Sequence, residues 1–84
     1  MKTRKQGYGD RNIIGRHAER IRKERGIRQH EFVAMLQAGG LDINPTSYSK
    51  LEGGIRTASD REVLAIAHAL RVPIHELFGE EQQP

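Results

Sequence analysis

Apolar residues fall at helical spacing along the chain from Asn12 onward. Ile14, Ala18 and Ile21, with Arg25 a turn further on, recur every three to four positions behind Asn12, a residue type that caps helix N-termini. Gly26 supplies a left-handed stop. A second helix is predicted over Gln29–Ala38, with Phe32, Val33 and Leu36 on one face and Gly39-Gly40 behind it. The third, Pro45–Glu52, has Asn44 as cap and a proline at the first helical position, where a missing N–H costs nothing. Ile43 before this cap and Tyr48 inside the helix are spaced as a hydrophobic staple, and Gly53-Gly54 closes it. Ser59-Asp60-Arg61-Glu62 reads as a capping box opening a fourth helix, with Val63, Ile66, Ala67 and Leu70 as its stripe and Val72-Pro73 as its break. Residues 74–78 supply one last turn or two before Gly79.

No alternating strand pattern and no internal repeat interrupts this series, so the expected fold is all-α, a compact bundle of five helices. Ile21, Phe32, Val33, Leu36, Tyr48, Leu51, Leu64, Ala67 and Leu70 are predicted to share one core. Residues 12–79 form the folded domain. Residues 1–11, with Gly7, Gly9 and no apolar period, read as a flexible basic arm, and the acidic, Gln-rich residues 80–84 as a disordered tail.

Composition narrows the function classes. The 84-residue chain is one domain and has no cysteine, which removes disulfides and cysteine-based zinc sites. No apolar run approaches the roughly 20 residues that span a bilayer. The basic N-terminus lacks the apolar stretch of a signal peptide, so a cytoplasmic protein is expected. Charge is lopsided: residues 1–28 hold ten Lys/Arg against three acids, and residues 29–84 hold four against eight. A polyanion-binding surface and a solvated helix face with a tail both account for this. His17, His30, His68 and His75 are scattered singly, His30-Glu31 lacks the second histidine of a zinc-protease helix, and so small a bundle is poorly suited to enclose a pocket of about 300 Å³. The chain is therefore expected to be no enzyme and to need no cofactor or metal. Two Tyr and two Phe, mostly placed for the core, leave little stacking surface for single-stranded nucleic acid.

Two helices joined by a turn, the second short and capped by Asn-Pro, suggest a helix-turn-helix unit. The segments IRKERGIRQHEFVAML, SYSKLEGGIR and SDREVLAIAHALRVPIHELF, in this order and joint spacing, resemble the Cro and phage-repressor (Xre-like) helix-turn-helix family over residues 14–78. The resemblance implies a lambda-repressor-like bundle, sequence-specific binding of double-stranded DNA, and a transcriptional regulator, more often a repressor than an activator. It pairs Arg22 with Glu52 in a structural ion pair and sets Gln29 and Arg56 on DNA phosphates. Helical geometry turns Tyr48, Leu51 and Glu52 toward the core and Pro45, Thr46, Ser47, Ser49 and Lys50 outward. In a helix-turn-helix those outward residues meet base edges in the major groove. Tyr48 is expected in the core, with its hydroxyl at solvent or a phosphate.

The sequence departs from the family pattern in places. The turn over residues 38–44 is about five residues longer than the tight family turn. Arg28 replaces the usual Thr or Ser cap, opposing the helix dipole by roughly 0.3–1 kcal/mol unless a phosphate sits there; it too is expected at the DNA backbone. Pro73 replaces a polar cap. The expected partners are duplex DNA and a second copy of the chain on a palindromic operator, the copies meeting near Ile74, Leu77 and Phe78. The arm cations Lys2, Arg4, Lys5 and Arg11 are candidates for further backbone contacts. The alternative role is that of an antitoxin, a fold relative that binds a toxin, or another regulatory protein, as well as its own operator.

Overall fold

The structure, a computed structural model, describes residues 7–79. Five helices make up its regular structure: α1 (Ile14–Glu24), α2 (Gln29–Ala38), α3 (Pro45–Glu52), α4 (Asp60–Leu70) and α5 (Ile74–Leu77), with no strand among the described residues. The expected all-α bundle is what forms. α1 packs on α3, α4 and α5; α2 packs on α3 and α4; and α4 also packs on α5. Ile14, Ala18, Ile21, Phe32, Val33, Leu36, Tyr48, Leu51, Ile66, Ala67, Leu70 and Leu77 close one core between them. The Phe32 and Tyr48 rings meet inside it at 5.5 Å between centroids. Leu64 does not join them. It is 45 % exposed, because the buried stripe of α4 runs through Ile66, Ala67 and Leu70, and position 64 points away from it.

Local chemistry sets the helix ends. Asn44 Oδ1 accepts from the Ser47 N–H at 2.8 Å, and Ser59 and Glu62 bond each other's backbone N–H groups as a reciprocal box. The long turn after α2 is well ordered by hydrogen bonds. Leu41 N–H donates to Leu36 carbonyl and Gly40 N–H to Gln37 carbonyl, a Schellman closure with Gly40 left-handed at φ 102°. Leu41 then packs against the core, and Gln37 Nε2 donates to the Ile43 carbonyl at 2.8 Å. This is how an extended turn still delivers α3 in a fixed place. The same closure ends α4 with Arg71 in the left-handed position, φ 58°, before Val72-Pro73.

At the crossing of α1 and α3, Gly15 lies against the α3 backbone. A Cβ there would sit 2.1 Å from the Leu51 carbonyl oxygen, so no larger residue fits without moving a helix. α1 begins one residue later than the Asn12 cap implied, with Ile13 as the flanking residue, yet Asn12 Oδ1 still accepts from Gly15 N–H at 2.7 Å.

The arm needs correction. From Tyr8 to Arg11 it is a docked strap: Gly9 N–H donates to Gly53 carbonyl at 2.7 Å and Arg11 N–H to Gly54 carbonyl at 2.8 Å. The Tyr8 hydroxyl bonds Glu19, and the Arg16 guanidinium lies 5.8 Å from the Tyr8 ring centroid. Residues 1–6 of the expected arm and residues 80–84 of the expected tail lie outside the described residues.

Candidate nucleic-acid interface

α3 divides sharply into two faces. Tyr48, Leu51 and Glu52 are fully buried, each 0 % exposed. The opposite stripe, Pro45, Thr46, Ser49 and Lys50, lines one shallow open depression together with Ile55. These positions follow the spacing of a single helix face. Pro45, Thr46 and Lys50 are exposed and Ser49 is half-buried. Ser47 lies outside the depression, half-buried, with its N–H on Asn44 and its carbonyl on Arg56. Ile55, 59 % exposed just past the helix, escaped the sequence reading, whose apolar patterning had no use for a lone isoleucine after two glycines.

Beneath α3 lies a polar anchor. Arg22 Nε and Nη2 donate to Glu52 Oε2 and Oε1 at 2.8 and 3.0 Å, a bidentate pair joining α1 to the end of α3. Arg22 Nη1 also donates to the Ile27 carbonyl at 2.7 Å, and Gln29 Nε2 donates to Glu52 Oε1 at 3.0 Å. Burial opposes the charge on Arg22, but the bonds to Glu52 and its field overcome that and raise the guanidinium pKa. Burial drives the Tyr48 hydroxyl pKa well above its usual range, with the Glu52 charge adding to the effect. No atom meets the Tyr48 hydroxyl with full hydrogen-bond geometry.

Three of the residues expected at phosphates are engaged or enclosed within the protein. Tyr48 has no exposed surface, so its hydroxyl cannot meet DNA. The Gln29 amide is turned inward onto Glu52, where it belongs to the anchor. Arg56 is consumed internally: Nη1 and Nη2 grip Glu62 at 3.0 and 2.9 Å, Nη1 also donates to the Thr57 carbonyl, and Nε donates to the Ser47 carbonyl at 3.0 Å. Arg56 thus braces α3 against the start of α4. Burial alone would raise the Glu62 pKa, but the bonds from Arg56 and from the Ser59 backbone lower it. Of the four expected phosphate contacts, Arg28 alone keeps an exposed side chain with no ion pair among the described residues. Its N–H donates to Glu31 Oε1, and the reciprocal half of a capping box is missing because a guanidinium has no acceptor.

Asn12 carries a brace that the sequence did not reveal. Its Nδ2 donates to the carbonyls of Leu51 and Arg56 at 3.0 and 2.8 Å, while Oδ1 caps α1. One side chain therefore locks the start of α1 to both ends of the turn that follows α3. Among the described residues, no group of His, Asp and Glu is arranged to hold a metal, and no helix is long and apolar enough to cross a membrane.

A short capped helix, anchored on one face and offering a polar stripe on the other, defines a helix-turn-helix DNA-binding domain. The family model described as Helix-turn-helix matches residues 19–77, and the chain belongs to this family of Cro and phage-repressor type. No curated protein matches the sequence significantly. Among solved structures, the clp gene regulator ClgR from C. glutamicum superposes with a TM-score of 0.68 at 20 % identity, over 88 % of this chain and 95 % of that one. That likeness is one of fold.

Proposed function

We propose that the protein represses transcription by occupying a specific duplex operator in the cytoplasm. α3 enters the major groove and reads bases with Pro45, Thr46, Ser47, Ser49 and Lys50. Lys50 donates to guanine O6 or N7, the hydroxyls of Thr46 and Ser49 read either donors or acceptors, and Ile55 meets a thymine methyl. Arg28 contacts a phosphate at the start of α2, where the helix dipole also favours an anion. Two copies bind a palindromic site with half-sites about 10 bp apart. Repression by occupancy is the simplest outcome that binding alone produces.

The observation that carries this reading is the division of α3: its inner face is locked by Glu52, Tyr48 and Leu51, and its outer face groups Pro45, Thr46, Ser49 and Lys50 on one accessible surface. The test is a gel-shift selection from random duplexes with the wild type, Lys50→Ala and Arg28→Ala. Lys50→Ala should change the selected motif, because a good base contact discriminates by roughly 1–3 kcal/mol. Arg28→Ala should weaken all sequences alike. An unchanged motif for Lys50→Ala would remove α3 as the reading helix.

A further inference from the structure

Arg56 was the cation expected beside the recognition helix, and Glu62 neutralises it. Another arginine occupies the same edge. The strap hydrogen bond from Arg11 N–H to Gly54 carbonyl, 2.8 Å, holds the Arg11 backbone against the residue before Ile55, which lines the same depression as Thr46, Ser49 and Lys50. The Arg11 side chain is exposed and has no ion pair among the described residues; Asp10 is its acidic neighbour in the chain.

The strap is built to hold this place. Gly9 and Gly54 approach so closely that a Cβ on either would sit 2.6 Å from the other's carbonyl oxygen. Tyr8 fastens the outer end through Glu19 and the Arg16 guanidinium. A helix with its side chains is about 10–12 Å across and the major groove about 12 Å wide, so residues flanking the recognition helix lie at the phosphate ridges.

We infer that Arg11, held by the strap, is a DNA-backbone contact at the α3–α4 edge, in the place left by the internally paired Arg56. The inference rests on α3 being the reading helix. Because the strap fixes the backbone of Arg11 before DNA arrives, this contact does not depend on ordering a free tail.

Salt-dependent affinity on the selected operator tests it. Arg11→Gln should lower affinity for all sequences alike and flatten the log–log salt slope by about 0.9, so that it loses about 3.5-fold less affinity than the wild type between 50 and 200 mM salt. Arg11→Lys should keep the slope, and Asp10→Asn should tighten binding. Gly9→Ala, which unseats the strap, should weaken binding when Arg11 is present and add nothing to Arg11→Gln. Melting temperatures of the Arg11 variants should match the wild type. An unchanged slope for Arg11→Gln, or additive losses with Gly9→Ala, overturns the role of Arg11 while leaving α3 as reader. Failure of the wild type to bind any duplex overturns the DNA-binding reading itself.

Discussion

At the scale of single residues, the molecule spends its strongest polar interactions on holding α3 still. Glu52 is fully buried and accepts hydrogen bonds from Arg22 and from Gln29. Such a carboxylate is tolerable only while its partners remain, since an uncompensated buried charge is destabilising by about 3–5 kcal/mol. Arg22→Met and Glu52→Gln should therefore each lower stability by an amount in this range. The double variant should lose much less than the sum, because it strands no charge. Urea unfolding of all four proteins measures the coupling, and purely additive losses would show that the pair contributes little. The cycle also separates structure from recognition: both residues are buried beneath α3, away from its proposed reading face, so the selected operator motif should survive in whatever fraction stays folded.

At the scale of elements, helix boundaries were legible because each rests on local chemistry that sequence displays. Asn44-Pro45 and Ser59 with Glu62 start helices through their own side chains, and Gly26, Gly40 and Gly54 allow the left-handed turn that ends them. The outward face of α3 was readable from periodicity at Pro45, Thr46, Ser49 and Lys50, but not at Ser47, which lies outside the depression they line. What stayed hidden depends on which long side chain finds which partner across the fold. Arg56 looks like a free cation in sequence, and only the packing of α3 on the start of α4 hands it to Glu62. Leu64 looks like core, and only the rotation of α4 exposes it. Tyr8 and Gly9 look like a tail until the Gly53-Gly54 turn is seen to offer two free carbonyls. The Arg56–Glu62 brace has a pH signature. The Glu62 pKa is lowered in the fold from an ordinary value of 4.5, so its contribution is present above that value and is lost as pH falls through the folded pKa. Glu62→Gln should accordingly be less stable near neutrality, by about 1 kcal/mol for a pair still partly open to water. The gap to the wild type should shrink in acid. Thermal melts between pH 7 and pH 3 read this directly, and a gap constant with pH would show that the carboxylate charge is not what braces α4.

At the scale of the whole molecule, the question is how one small domain gains enough contact to select an operator. A single helix-turn-helix reads few base pairs, and two-fold pairing doubles the contacts while imposing a spacing. The expected pairing surface on α5 divides in two. Leu77 is fully buried and closes the monomer core, so it is unavailable to a partner, whereas Ile74 at the start of this short helix and Phe78 just past its end are 44 % and 38 % exposed. Two apolar side chains from each copy make a small interface, too small for a permanent dimer, since stable specific interfaces bury about 1,200–2,000 Å² in total. The free protein should then be monomeric at micromolar concentration and pair on the operator, where DNA holds two copies at high local concentration. Sedimentation of the free protein and of its complex with a palindromic duplex distinguishes the cases. Ile74→Ser with Phe78→Ser should leave binding to one half-site unchanged and abolish cooperative filling of two, with little loss of stability because neither residue is in the core. A dimer at micromolar concentration without DNA would point to a larger surface elsewhere, and cooperative filling that survives both substitutions would remove α5 from the interface.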